Sequence, residues 1–199
     1  VVEVADDSFC NSSTEEAILT EGIASIGRNA FSGCDKLHQV VLPISIEEIN
    51  DSAFENCRNL KSVSLPGALK TIGNAAFKGT GLRTIAIPES VFWIGNGVVA
   101  DCQLLEHVTI PSNMDKIPEH MFEGCINLKK VELHERLNEI GERAFFGCSS
   151  LDFIVIPDSV KKIGKNAFTN TDKQFIMQCS FGSYAEEYAR KNKFKYQLV

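Results

Sequence analysis

The sequence predicts a single α/β solenoid of stacked coils, each about 23 residues long. Three observations carry this expectation. A motif Ile-Gly-x-x-Ala-Phe recurs at a nearly constant step, a period-two apolar segment follows each copy, and one slot per copy admits only Gly, Asn or Asp. Self-similarity at a fixed period marks architectures in which no unit can bury its apolar face alone, so neighbours stack and share one core.

The motif begins at Ile26, Ile49, Ile72, Ile94, Ile117, Ile140 and Ile163, so its steps are 23, 23, 22, 23, 23 and 23. The short step has a visible cause. Most copies continue Cys-x-x-Leu after the Phe, whereas the third reads Thr80-Gly81-Leu82 with one residue deleted.

Each unit then yields its elements in order. Val40-x-Leu42 alternates as a half-buried strand does, and its equivalents are Val63/Leu65, Ile85/Ile87, Val108/Ile110, Val131/Leu133 and Ile154/Ile156. Pro43, Pro66, Pro88, Pro111 and Pro157 follow these segments; proline offers no ladder donor and ends a strand. A second apolar pair, Ile46/Ile49 and its equivalents, reads as the return pass along the opposite face. A tight turn carrying Ala-Phe comes next. The slot before Cys holds Gly33, Asn56, Gly79, Asp101, Gly124, Gly147 and Asn170, residues that tolerate φ > 0. The slot after the first Ile is also Gly-rich but admits Pro118, which fixes φ near −65°, so compactness is its requirement. Strands in register would stand ~4.8 Å apart, and seven coils would span roughly 35 Å.

The ends depart from the pattern, as terminal coils facing water should. Residues 1–25 read as a degenerate N-terminal cap, with Phe9-Cys10 out of phase, and 26–174 as the regular repeats of the same single domain. Residues 175–199 read as a last strand, Phe175–Cys179, and a capping helix. The helix has Ser183 at its N-cap, acids early, bases late, and Tyr184 and Tyr188 spaced to close the column.

Composition excludes several functions. The net charge of −6 argues against a nucleic-acid surface, which needs a basic stripe. No run approaches the ~18 apolar residues of a membrane span. Seven cysteines cannot all pair within one chain. Five of them, Cys34, Cys57, Cys102, Cys125 and Cys148, share one slot that Thr80 and Thr171 fill elsewhere. A metal column and stacked disulfides compete with free buried thiols; the two Thr and the in-register stacking favour free thiols. His134-Glu135 opens a zinc-protease pattern that fails at Asn138. No metal or cofactor is expected, and no paired-carboxylate column of the kind a glycosidase needs is present.

The composite Ile-Gly-x-x-Ala-Phe-x-Gly-Cys-x-x-Leu-x-x-Val-x-Ile-Pro resembles the BspA-like (treponemal-type) class of leucine-rich repeats over roughly residues 17–180. The resemblance implies a right-handed leucine-rich-repeat solenoid with a curved parallel β-sheet. It implies a secreted or cell-surface setting, adhesion to host or bacterial proteins, and no shared catalytic residues. The expected function is thus a non-catalytic binding module, with a protein partner (host extracellular matrix or bacterial surface) or a glycan, and no membrane insertion. A structural spacer and a glycan-active enzyme are the alternatives.

The candidate binding residues are those that break the pattern. Phe92 and Trp93 occupy slots that hold Glu47-Glu48, Lys70-Thr71 and Asp115-Lys116 in other coils, and the same coil carries Val98-Val99 in place of Ala-Phe. Two readings stay open: exposed aromatic anchors, or an aromatic folded back over the gap left by the missing Phe. The outward strand face adds His107, Lys130, Glu132 and Phe153, and Phe146 replaces a mostly polar slot.

Overall fold

Residues 2–199 are described by a computed structural model. Parallel strands of neighbouring coils form two rows, and a turn carrying the Ala-Phe motif joins them. The return-pass row comprises Val2–Val4, Ile23–Ile26, Glu48–Ile49, Thr71–Ile72 and Trp93–Ile94 in one sheet, then Lys116–Ile117, Glu139–Ile140 and Lys162–Ile163 in another. Equivalent isoleucines face each other across the register, as Ile49↔Ile72 and Ile140↔Ile163 do. The front row falls into three pieces: Glu16–Ile18 with Gln39–Val41; Thr84–Ala86, His107–Thr109 and Lys130–Val131; and Phe153–Val155, Ile176–Cys179 and Lys195–Leu198. Among the described residues the one α-helix is Tyr184–Asn192, in the C-terminal cap.

The turns add a third ladder. Within each turn the N–H groups of three alternate residues donate to carbonyls of the next coil: Asn29 to Asp51, Phe31 to Ala53 and Gly33 to Glu55, at 3.0, 2.8 and 2.7 Å. The expected left-handed slot is left-handed in all seven copies, from φ 58 at Asp101 to φ 76 at Gly147. It also alternates for a steric reason. A Cβ on Gly79 would lie 2.5 Å from Asn56 Oδ1, and one on Gly124 would lie 2.4 Å from Asp101 Oδ1. The amide or carboxylate of one coil thus covers the glycine of the next. A second left-handed slot, Asn29, Ser52, Ala75, Gly97, His120, Arg143 and Asn166, escapes sequence reading because its residue types vary.

The compact slot behaves as expected. Gly27, Gly73, Gly95, Gly141 and Gly164 have ordinary φ, and a Cβ on Gly73 would meet Asp51 N at 2.4 Å. The N–H at this slot donates to the previous coil, as Gly73 does to Ile49 O (2.7 Å) and Gly141 to Ile117 O (2.8 Å).

The core is a column of stacked rings. Phe9, Phe31, Phe54 and Phe77 stack at centroid distances of 5.0, 5.3 and 5.4 Å, and Phe122, Phe145, Phe168 and Phe175 at 5.1, 5.1 and 5.5 Å. Val99 interrupts the column, and the buried Met121 stands where most other coils carry Ala. An unbranched thioether suits an irregular core position, whereas Phe92 and Trp93 are exposed and do not fill the place of the missing Phe.

Cysteine lines the column. Cys57, Cys102, Cys125 and Cys148 donate their thiols to the carbonyls of Phe31, Phe77, Val99 and Phe122 at 3.0, 3.1, 3.1 and 3.1 Å. All seven cysteines are free. Burial pushes Cys57 and Cys148 up to about 12 and Cys102 up to about 11.

Three expectations need correction. Phe9 is in phase: it stacks on Phe31 because the first step is 22 residues, while Ser12 Oγ approaches Cys34 Sγ at 3.4 Å and takes the thiol slot. Cys10 simply falls in the variable position. The strand expected around Val63 and Leu65 does not form, and both residues are half-buried. The break adjoins the shortened repeat, where Gly81 N–H reaches back to Cys57 O and Arg83 N–H to Lys61 O, at 3.4 and 3.2 Å. At the C-terminus Tyr188 packs edge-on against Phe168 at 6.4 Å and stacks on Phe194 at 6.0 Å, whereas Tyr184 stays exposed. Buried Ala185 and Ala189 close the rest, because the helix turns that face inward. The cap is as read from its sequence: Ser183 accepts from Glu186 N–H, with Glu186 and Glu187 early and Arg190 and Lys191 late.

Two neighbouring substitutions should act in opposite directions. Gly79→Ala forces a Cβ into φ 67 and against Asn56, and is expected to cost roughly 1–2 kcal/mol. Ala75→Gly relieves φ 54, partly offset by chain entropy, and should gain about 0.5 kcal/mol. Chemical denaturation of both variants measures the two signs. Alkylation of the native protein under mildly alkaline conditions should label half-buried Cys10 alone, with the remaining thiols labelled only after unfolding; mass spectrometry counts the adducts.

Candidate functional site: an open seam between two coils

The return-pass row is continuous except at one step. Trp93–Ile94 and Lys116–Ile117 belong to different sheets, and among the described residues no backbone hydrogen bond crosses between residues 91–95 and 114–118. The cause is Pro118. It occupies the compact slot from which every other regular coil donates an N–H to a carbonyl of the preceding coil, Val4 for Gly27 and an Ile for the rest, and proline has none to give. Its ring also occupies space that Gly leaves empty for close approach of the previous coil. Asn50, the other non-glycine in this slot, keeps the backbone bond to Ile26 O and adds one from its side chain, both at 2.9 Å.

The seam opens into a groove of about 580 Å³. Phe92 and Trp93 stand on one lip, exposed by 73% and 47%. Both aromatics therefore point to solvent, and the folded-back reading is overturned. Met114, Pro111 and Pro118 form the opposite apolar wall, with Asn96, Asn113 and Asp115 among the polar groups. Ile94, at the base, is half-buried where most of its equivalents are buried. The neighbouring ladders hold. Gly97 N–H donates to Glu119 O and Ile87 N–H to Thr109 O, each at 2.9 Å, so the two coils keep normal spacing on either side of the opening.

Charge around the groove is sparse. Lys116 Nζ is held by Glu139 at 3.1 Å. Asp115 has no ion-pair partner among the described residues.

The remaining candidates lie elsewhere. His107 and Lys130 are register partners on the front face, and Lys130 Nζ pairs with Glu132 at 2.6 Å, which holds the Glu132 carboxyl below its usual range. Phe153 is exposed by 44% on the same face, one coil further. These four share a surface with a shallow concavity of about 220 Å³ beside His107, Lys130, Glu132 and His134. Phe146 lies at the turn, covered by the Arg143 guanidinium 3.7 Å from its ring centroid, while Arg143 pairs with Glu123 at 2.5 Å. The structure thus does not gather the seven candidates. Phe92 and Trp93 form one site, the four front-face residues another, and Phe146 belongs to neither. Sequence reading missed Met114, Asn113 and Asp115 as companions of the aromatics. The available signal was Pro118, a residue without an N–H in a donor slot.

Replacing Pro118 by Gly should close the seam. The restored amide is expected to bond Ile94 O and become protected from hydrogen exchange like Gly95 and Gly141. Global stability should change by less than about 1 kcal/mol, because the new bond offsets the lost rigidity of proline. Residue-resolved exchange reads the protection directly.

Comparison with known proteins places this geometry. The family model described as the BspA type leucine rich repeat region matches in 6 copies, over residues 2–104 and 48–175. No curated protein matched the chain. Among solved structures, the chain is similar to a leucine-rich repeat protein from Bacteroides ovatus, with 29% identity and a TM-score of 0.84, covering 98% of this chain and 55% of that one. It is similar to a leucine-rich repeat protein of Treponema pallidum, with 27% identity and a TM-score of 0.69, covering 100% and 80%. A leucine rich cell surface protein of Faecalibacterium prausnitzii shares the fold at 24% identity and a TM-score of 0.52, over 93% and 65%. This chain thus spans about half the length of the B. ovatus protein. The repeat, its two ladders of strands and its third ladder of turn bonds together make this chain a member of the BspA-type leucine-rich-repeat family.

Proposed function

We propose that the chain is a non-catalytic binding module of a secreted or cell-surface protein that engages a macromolecule of host or bacterial surfaces. The observation that carries this reading is the seam. Two large aromatics are exposed where other coils carry mostly charged or polar residues, beside the single break in the return-pass row of the described residues. Exposed aromatics clustered at a groove are the residues that supply most of the affinity in recognition surfaces. The rest of the solenoid is rigid, so little is lost in ordering on binding. The surface setting is supported by the family and by the description of the F. prausnitzii relative as a cell surface protein. The non-catalytic reading is supported by the scattering of the titratable candidates. His107 faces Lys130, not a carboxylate, and catalysis by a base needs an oriented partner.

The test is direct binding of the purified chain to immobilised extracellular-matrix proteins and to intact bacterial cells. Wild-type binding to at least one surface, reduced tenfold or more by Phe92→Ala with Trp93→Ala, is the expected result. Binding unaffected by that pair but lost with Lys130→Ala and Phe153→Ala would move the site to the front face. Absence of binding to any surface would refute the module reading.

A further inference from the structure

We infer that the seam groove is a saccharide site, taking a neutral, hydroxyl-rich oligosaccharide. This rests on the binding-module reading and names the class of ligand for the same site.

The argument begins with what the opening leaves unpaired. In the closed steps of the row, Lys70 O accepts from Phe92 N–H and Ile72 O from Gly95 N–H. One coil later the corresponding carbonyls, Phe92 O and Ile94 O, have no partner among the described residues, and neither do the N–H groups of Asp115 and Lys116 across the gap. Asn96 and Asp115 likewise make no side-chain hydrogen bond, and Asn113 uses only its amide nitrogen, on Glu89 O at 3.1 Å. The groove therefore presents donors and acceptors on facing walls with an aromatic pair at the rim.

Two ligands satisfy facing donors and acceptors: a peptide strand or a polyol. A strand inserted between the coils needs twice the normal strand spacing, ~9.6 Å. Here the return strands are already parted, with no Cα of Trp93–Ile94 within 8 Å of Lys116–Ile117, but the bonds Gly97 to Glu119 and Ile87 to Thr109 close the opening at both ends, so an inserted strand would find only a few rungs to pair with. A hydroxyl carries one donor and two acceptor lone pairs on one atom, and bridges an N–H and a C=O as water does. A pyranose presents several hydroxyls around its edge and an apolar C–H face that packs on an aromatic ring. Phe92 and Trp93 supply the rings. The charge selects further. With Lys116 engaged by Glu139 and Asp115 unpaired, the groove is weakly negative and disfavours uronates and sialylated chains.

Trp93 is the only tryptophan, so its emission reports on the groove alone. The chain is titrated with maltohexaose, cellohexaose and mannohexaose, and with oligogalacturonate as the anionic control. A saturable emission change with at least one neutral hexasaccharide and none with the uronate is the expected result. Phe92→Ala should weaken it at least tenfold. Pro118→Gly should weaken it comparably by closing the seam, while circular dichroism stays unchanged. Calorimetry on Trp93→Ala, which lacks the reporter, should show the same loss. Silence toward all three neutral sugars at millimolar concentration, a response to the uronate as strong as to the neutral sugars, or a Pro118→Gly variant that binds like wild type each overturns the inference. If the sugars are silent while Phe92→Ala still abolishes binding to a deglycosylated matrix protein, the inference fails and the binding-module reading stands.

Discussion

Everything in this molecule depends on one constraint: each coil must offer its neighbours the same hydrogen-bonding groups at the same height. A parallel rung has no partner within its own coil, so its donors and acceptors are satisfied only by the coils on either side. That is why the step stays at 23 residues except for two of 22, from Phe9 to Phe31 and from Ile72 to Ile94, and why each local departure is felt one coil away. The shortened third repeat removes a strand from its neighbour at Val63. Pro118 removes a donor and opens the return-pass row behind Ile94.

The core obeys the same rule in apolar form. Phenylalanine rings stack at 5.0–5.5 Å along the axis, and each thiol donates to the carbonyl of the coil behind it. Offset stacking adds to area burial about 0.5–1.5 kcal/mol per pair, and the thiol is a second donor to a carbonyl that already accepts a backbone N–H of its own coil. Cysteine suits this slot because it is small, apolar enough to be buried and still a weak donor. Thr80 fits with a different bond, its hydroxyl turning back to Phe77 O of its own coil. At the interruption, Val99 and the larger Met121 of the next coil are both buried, while Phe92 and Trp93 stay exposed.

A binding site in such an array arises where the repeat is broken without collapse. The seam meets both halves of that condition. Its turn ladder and front strands hold the coils in place, while the return strands part to more than 8 Å between Cα atoms. The front-face residues lack this feature: His107 and Lys130 decorate one closed ladder, with Glu132 just past its end, and Phe153 lies on the next sheet. Exposed aromatics over unpaired backbone are a more specific arrangement than exposed charges over a closed ladder.

The repeat period, the inward apolar positions, the left-handed slot before Cys, the compact slot after Ile and the C-terminal helix with its cap were all legible in the chain. Each is a local requirement repeated many times, so composition at equivalent positions exposes it. The strand lost at Val63, the phase of Phe9, the parting of the strands at Pro118 and the exposure of Phe92 and Trp93 were not. Each of these is settled between coils: a residue's partner lies about 23 positions away, and whether a rung pairs depends on what that partner can donate. Local pattern therefore decided the architecture, and only the packed stack decided which departure from the pattern became an opening.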